Sequence, residues 1–461
     1  MKKHFLLLIL VSFISLHSFS QEKKIFSETS QQKSERMKWW TDARFGMFIH
    51  WGLYSLPARH EWVKNMERLT DSSYQKYFDN FNPDEFDPVK WAKEAKAAGM
   101  KYAVLTSKHH EGFCLFDSKY TDYKATNTPA HRDLVREFVN AFRAQGIKVG
   151  FYYSLLDWHY PDYTIDDAHP QRAPDSLNDE QKAAYYARVN KGRDMAKYRQ
   201  YLKNQITELL TNYGKIDILW LDWTWDKGDI YGKHPEDWDA VNLIKLVRKL
   251  QPDIIVNNRL GLDQDGYTDG GDFVTPEQVK PAELLKYKGK NWETCQTFSG
   301  SWGYFRDENT WKNQRQLLDL LITSTANGGN LILNVGPTAR GEFDYRAMRA
   351  LDSLSYWMHG NDRSIYNCTY PPAQYDLPES MNDDRLTYNP VTKKLYLHLF
   401  NYPADGQLIL PNYNGKIIYA QFLNDNSEVP FTVAANGADL TLKLPKTKLP
   451  YEVPVVELSL K

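Results

Sequence analysis

Ile216-Asp217-Ile218-Leu219-Trp220-Leu221-Asp222 is an apolar run that ends on a carboxylate. Two other segments have the same form. Phe45-Gly46-Met47-Phe48-Ile49-His50 ends on a histidine, and Tyr102-Ala103-Val104-Leu105-Thr106-Ser107-Lys108-His109-His110-Glu111 ends on two histidines and an acid. Apolar runs that do not alternate with polar residues read as strands buried on both faces, and therefore as a parallel sheet covered by helices. In a parallel α/β barrel every strand C-terminus opens on one face, where the chemistry is done. His50, His109, His110 and Asp222 would then meet there from segments remote in sequence.

Working outward, helical patterns separate the runs. Phe86–Gly99 reads as a helix with Asp87 as N-cap and Gly99 as stop. Helices follow over Asp133–Gln145, Lys197–Tyr213, Asp237–Leu250, Trp311–Ala326 and Glu342–His359, and further strands over Ile147–Ser154, Ile254–Asn258 and Asn330–Val335. The repeated strand–helix unit predicts a (β/α)8-like barrel over 21–365. No G-x-G-x-x-G follows the first strand, so a dinucleotide-binding sheet is unsupported. The sixth and seventh strands have the faintest pattern and fall near Gly271–Phe273 and Trp292–Gln296. Residues 21–35 are polar and read as a frayed leader. His159–Lys191 reads as a long polar insertion on the functional face, where it would shape the substrate entrance. After residue 365 the pattern changes to short strands, some strictly alternating, separated by Asn, Asp, Gly and Pro. This predicts a C-terminal antiparallel β-sandwich domain over 366–461.

The net charge is −1, which argues against a nucleic-acid partner, since phosphate binding needs a concentrated basic surface. Lys2 and Lys3 precede an apolar stretch from Phe5 to Leu16, and Ser18-Phe19-Ser20 supplies small residues before Gln21. Residues 1–20 therefore read as a secretory signal peptide of bacterial type, too short for a membrane span. The expected location is the periplasm, with no membrane insertion. Cys114, Cys295 and Cys368 are too few and too scattered for a disulfide framework or a metal site with recognisable ligand spacing. Aromatic residues make up 14% of the chain. That suits a sugar cleft, where rings stack on the apolar face of a pyranose and polar groups take its hydroxyls.

Asp222 by position is either an N-cap, the partner of an arginine, or a catalytic carboxylate. Trp220, two residues earlier on a strand, faces the same way, and a carboxylate beside a large aromatic wall suits sugar cleavage. The His109-His110-Glu111 cluster is open to three readings: core histidines bonded to backbone carbonyls, metal ligands with His50 and Asp222, or neutral or cationic donors to sugar hydroxyls. The metal reading is the weaker, because no His-x-His stands at a strand end. His50-Trp51-Gly52 and Glu61-Trp62 each join a polar ligand to a ring.

Ten ordered pieces then match one family. Phe45-Gly-Met-Phe-Ile-His50-Trp-Gly, Glu61-Trp62, Ser107-Lys-His109-His110-Glu-Gly-Phe113, Tyr152-Tyr-Ser-Leu-Leu-Asp157-Trp158, Leu219-Trp220-Leu-Asp222, Val256-Asn-Asn-Arg259, Asp272-Phe-Val-Thr-Pro-Glu277, Trp292-Glu-Thr-Cys295, Ser301-Trp302-Gly-Tyr304 and Asn330-Leu-Ile-Leu-Asn334-Val-Gly-Pro337 resemble glycoside hydrolase family 29, the α-L-fucosidases. The resemblance spans roughly 36–365. It implies a (β/α)8-like catalytic domain, a C-terminal β-sandwich, no metal or other cofactor, a retaining mechanism and a fucosylated oligosaccharide or glycan as substrate. Asp222 matches the family's nucleophile. Glu277 matches the acid/base of the broad-specificity subfamily, with Glu293 as its rival. His50, Glu61, Trp62, His109, His110 and Arg259 match sugar-hydroxyl ligands. Phe48, Trp220, Trp302 and one of Tyr152 and Tyr153, assigned here to Tyr153, match the apolar pocket for the C6 methyl group. The chain departs from the pattern at Trp223, where Gly is usual, at Val63, where Tyr is usual, and at Glu111, where many relatives have Asp. The alternatives are a related α-L-glycosidase such as an α-L-galactosidase, a catalytically silent fucose-binding barrel, and a metal-dependent hydrolase. Intact Asp222 and Glu277 speak against the silent barrel.

Overall fold

A computed structural model describes residues 23–377, 381 and 384–461. The expected signal peptide lies outside the described residues. Seven strands form one parallel sheet: β1 (Phe45–Ile49), β2 (Tyr102–Lys108), β3 (Lys148–Ser154), β4 (Ile218–Asp222), β5 (Ile255–Val256), β6 (Glu293–Thr297) and β7 (Asn330–Val335). Their order is β5-β4-β3-β2-β1-β7-β6, which leaves β5 and β6 as edges.

The segment 272–278 lies between those edges. Asp272 N donates to Val256 O at 2.7 Å, Glu293 N to Val274 O at 3.0 Å and Gln278 N to Cys295 O at 3.0 Å. Parallel bridges join Asn257 to Phe273, Val274 to Trp292 and Glu277 to Cys295. The ring is thus closed by an irregular eighth member. Pro276 within it has no N–H to give to a ladder, and only a 3-10 turn, Leu262–Asp265, intervenes after β5 instead of a helix. The expected barrel is present as seven regular strands and one irregular one. This is why the sixth strand, expected near Gly271–Phe273, was faint in the sequence; the seventh, expected near Trp292–Gln296, is the regular strand β6.

Strand alternation sorts the side chains into two cores. Phe48, Val104, Tyr152, Trp220, Ile255 and Ile332 fill the barrel interior. Met47, Leu105, Tyr153, Leu221 and Leu333 face outward onto the helices. The helix Leu134–Ala144 shows how that outer layer is made: Leu134, Val135, Phe138, Val139, Ala141 and Phe142 are buried along one face, and Asp133 caps its start by accepting from Arg136 N at 2.9 Å. The leader expected to be frayed over 21–35 is helical from Ser30. Ser30–Ala43 is a helix begun by a capping box in which Thr29 and Gln32 each accept from the other's backbone, an arrangement that satisfies two end N–H groups at once. Its Met37, Trp40 and Ala43 plug the barrel end opposite the site. Such a plug needs only a narrow apolar stripe, so the rest of the helix is polar and gave no helical signature.

Glu293 lies at that plugged end, at the start of β6 opposite Asn330. It is fully buried, and its Oε2 accepts from Tyr102 Oη at 2.5 Å and Trp40 Nε1 at 3.3 Å. Burial pushes its pKa up to about 7, against the pull of those two donors. The native state then holds the proton over a range where the unfolded chain has released it, so stability falls as pH rises from about 4.5 to 7 and is level above. At about 1.4 kcal/mol per pH unit the fall is at most roughly 3 kcal/mol. Glu293→Gln mimics the protonated acid. Its Tm relative to wild type should be constant below about pH 4.5, rise in the variant's favour up to about pH 7, and be level again above that. Parallel Tm curves across that range would show that Glu293 ionises without cost to the fold.

The C-terminal part has two antiparallel sheets, as expected for a sandwich. One contains β8 (Arg385–Asn389), β9 (Lys394–His398), β11 (Ile417–Phe422) and β14 (Val455–Leu460), and the other β10 (Gln407–Leu410), β12 (Phe431–Val433) and β13 (Leu440–Lys443). Leu395, Leu397, Leu410, Leu442 and Val456 are buried between them. Tyr396, Val453 and Val455 instead join the outer core of the barrel, and Trp357 Nε1 on the helix Tyr345–Asn361 donates to Val453 O at 2.9 Å. The three cysteines are buried free thiols.

Candidate active site

A cavity of about 360 Å³ opens at the C-terminal ends of the strands. Phe48, His50, Glu61, Trp62, His109, His110, Trp220, Asp222, Arg259, Glu277 and Trp302 all line it. Tyr153 does not, and its assignment is corrected. It points outward, where its Oη donates to Gln205 Oε1 at 2.7 Å. Its neighbour Tyr152 lines the cavity because it is level with Trp220 across the β3–β4 pair, and residues level with each other in a sheet share a face. Glu293 is also absent from the cavity, since it belongs to the opposite end of the barrel.

Asp222 ends β4 with its side chain 10% exposed. Its Oδ1 accepts from Arg259 Nη1 at 2.8 Å and its Oδ2 from Tyr152 Oη at 2.7 Å. The other nitrogen of the same guanidinium, Nη2, donates to Glu277 Oε2 at 2.6 Å, and Nε donates to Thr275 Oγ1 at 2.9 Å. One planar cation therefore ties the two carboxyl groups together and is itself fixed by the segment that carries Glu277. Burial works against the charge on Arg259, but Asp222 and Glu277 outweigh it and hold the guanidinium protonated above its ordinary range. The two acids differ in setting: Asp222 is enclosed, whereas the Glu277 side chain is 41% exposed.

The histidine protonation states follow from their partners. Asn334 Nδ2 donates to Trp302 O at 2.6 Å, so its amide oxygen faces His50 Nδ1, also at 2.6 Å. His50 must carry its proton on Nδ1, which leaves Nε2 as an acceptor. Ser154 Oγ donates to Leu156 O at 2.8 Å and lies 2.6 Å from His110 Nδ1, so His110 has the same tautomer. Burial, reinforced by the neighbouring His109, pushes both pKa values well below the usual histidine range. Both rings are neutral and offer Nε2 lone pairs, with His110 Nε2 3.9 Å from Asp222 Oδ2. His109 differs. Its Nδ1 lies 3.4 Å from Oε2 of the buried Glu111. Glu61 accepts from Gly303 N at 2.9 Å, which ties its loop to the one bearing Trp302. Gly303 permits that approach: a Cβ there would sit 3.0 Å from Glu61 Cβ.

Sequence reasoning missed the partners. Asn334 and Ser154 stood within recognised motifs without an assigned task, and Tyr152 was weighed only for the methyl pocket, not as a partner of Asp222. Trp223 was noted only as a departure. It has φ +82°, a backbone state that costs a bulky L-residue about 1–2 kcal/mol. Its ring packs on Trp62 at 4.9 Å and His110 at 5.5 Å between centroids. The insertion after β3 is partly ordered by a helix, Asp179–Val189, and it packs on the loop of Glu61 through Asn65 Nδ2, which donates to Ala168 O at 2.6 Å.

The arrangement holds two carboxyl groups on one arginine, neutral imidazole acceptors, and the rings of Phe48, Trp220 and Trp302 within one small cavity. It can bind a small polyhydroxylated ring and exchange a proton and a nucleophile across it. Known proteins bear on which ring. The family model for α-L-fucosidases matches residues 13–363. The α-L-fucosidase isoenzyme 1 from Paenibacillus thiaminolyticus superposes with a TM-score of 0.82 at 41% identity, over 93% of this chain and 99% of that one. A glycoside hydrolase family 29 α-L-fucosidase from Bacteroides thetaiotaomicron, solved as a covalent intermediate trapped with 2-fluoro-fucosyl fluoride, has a TM-score of 0.76 at 29% identity over 93% and 96%. The tissue α-L-fucosidase of Macaca fascicularis is 29% identical over 81% of this chain and 77% of its own.

Proposed function

This chain belongs to the α-L-fucosidase family, and from that premise we propose that it is a retaining exo-α-L-fucosidase that removes terminal α-L-fucosyl residues from oligosaccharides or glycans. Asp222 attacks the anomeric carbon while Glu277 gives its proton to the departing glycosidic oxygen. Glu277 then takes a proton from water, the water oxygen displaces Asp222, and L-fucose leaves with its original configuration. One bond is cleaved and one water consumed. The observation that carries this reading is the single guanidinium of Arg259, bonded to both carboxyl groups. Retention needs the two acids about 5–5.5 Å apart, and a shared guanidinium holds them close. The trapped covalent intermediate of the Bacteroides relative supports the two-step course.

Within the family we assign the chain to the broad-specificity subfamily, because Glu277 stands in the Asp-Phe-x-Thr-x-Glu stretch. The neutral His50 and His110 would accept hydrogen bonds from sugar hydroxyls through Nε2. Phe48, Trp220 and Trp302, with Phe48 5.2 Å and 6.2 Å from the other two rings, would take the C6 methyl. Export to a bacterial periplasm is supported by Lys2, Lys3 and the apolar stretch after them.

A panel of aryl glycosides tests the assignment. Aryl α-L-fucoside should be cleaved about 10- to 100-fold faster than the α-L-galactoside, because the added 6-hydroxyl would be buried unpaired at about 1–3 kcal/mol. A faster α-L-galactoside would overturn the methyl pocket. Fucose binding without release of any aglycone would mean a silent barrel.

A further inference from the structure

We infer that the cleft beside the fucose cavity is a leaving-group subsite built for a sugar, with Trp223 as its stacking platform. The inference rests on the fucosidase reading above. This cleft, about 660 Å³, lies beyond the ends of β4 and β5 and shares two walls with the fucose cavity, Trp223 and Arg259. Arg259 is the residue that joins Asp222 and Glu277. Bond cleavage happens between those acids, so a group leaving past Arg259 passes into this cleft.

Three further observations point to a saccharide. Trp223 keeps a left-handed backbone at φ +82°, and a bulky residue is held in such a state where the surroundings over-determine it, commonly at a binding site. Trp62 and His110 hold its ring from the fucose side, yet Trp223 is only half-buried and lines the second cleft as well. Secondly, Asp226 and Asp263 line the cleft with exposed side chains, and among the described residues their carboxylates make no hydrogen bond or ion pair. They are free to accept from hydroxyls. Thirdly, the wall behind them is fixed: Gln264 Nε2 donates to Trp225 O at 3.2 Å, and its Oε1 accepts from Lys227 N at 3.1 Å. One aromatic face with free oxygen acceptors around it suits a pyranose. A lipid leaving group would find only this one ring among polar side chains.

Two measurements test this. The first compares kcat/KM on a fucosylated lactose and on an aryl α-L-fucoside, in wild type, Trp223→Gly and Asp263→Ala. Each variant should lower the ratio of saccharide to aryl rate at least tenfold. Glycine suits the left-handed backbone at 223 and Asp263 is exposed, so both variants should fold. The second traps the enzyme with 2-fluoro-fucosyl fluoride and follows recovery of activity. Lactose should speed recovery saturably in wild type, by receiving the 2-fluoro-fucosyl group on a hydroxyl in place of water, and Trp223→Gly should lose the saturation. Equal losses on both substrates, or recovery no faster with lactose than with water alone, would overturn the subsite and leave the fucosidase reading intact. A wild type that cleaves no fucoside would overturn both.

Discussion

Asp222→Gly should lower kcat/KM on an aryl α-L-fucoside by about 10⁴- to 10⁶-fold, the scale on which removal of a catalytic nucleophile acts. Glycine deletes the carboxylate that Arg259 and Tyr152 hold at the end of β4, and nothing else in the cavity is placed to replace it. The opening left behind is the size of a small anion, so azide at high concentration should restore turnover. The product settles the mechanism. Azide attacks once, which inverts the centre and gives the β-L-fucosyl azide, whereas the wild type inverts twice and gives α-L-fucose. The measurement is product configuration by NMR together with the rate. A loss below tenfold, or an azide product with the α configuration, would remove Asp222 from the nucleophile's role.

Glu277→Ala should give the second-largest effect and a different signature. General acid assistance contributes about 10²- to 10⁴-fold, but only where the leaving oxygen needs a proton. Fucosylated saccharides should lose about that much. Aryl fucosides with acidic phenols should lose under tenfold in the first step and then stall at the fucosyl-enzyme, because no base activates water. Azide needs no base, so it should relieve the stall and give the α-L-fucosyl azide, the opposite configuration to that from Asp222→Gly. The pair of azide products thus separates the two carboxyl groups by role. If Glu293→Ala produced the pattern expected of Glu277→Ala, the acid/base would have to be reassigned. Glu293 sits among Tyr102 and Trp40 at the plugged end of the barrel, too far down the interior for a leaving group to reach.

The two acids were unequally visible in the sequence. Asp222 closes a continuous apolar strand, and its place at a barrel mouth follows from that pattern alone. Glu277 lies on a segment that completes the ring without a helix before it and with Pro276 inside it, so periodicity could not register it as a strand. Only its match to a motif brought it forward. Tyr152 and Tyr153 show a second kind of gap. They are adjacent and chemically identical, and a shift of one residue exchanges the faces of a strand. Pairing with Trp220 decides the matter, and that pairing is a property of the folded sheet. The N-terminal helix was hidden for another reason: it plugs one end of the barrel, and so buries too few residues to leave a periodic stripe.

The succession of apolar strands and helices, the change to short alternating strands after residue 365, and the residue types gathered at the strand ends are all legible in the order of residues. Those features are local, because burial on two faces, helix capping and turn chemistry each leave a mark within a few residues. It takes the folded chain to show that Tyr152 and not Tyr153 bonds Asp222, that one arginine joins Asp222 to Glu277, and that His50 and His110 are neutral acceptors. Each of these depends on a partner from a remote segment: Trp220 for the tyrosine, Thr275 for the arginine, Asn334 and Ser154 for the histidines. Side-chain direction and protonation answer to neighbours in space, which the order of residues along the chain does not contain.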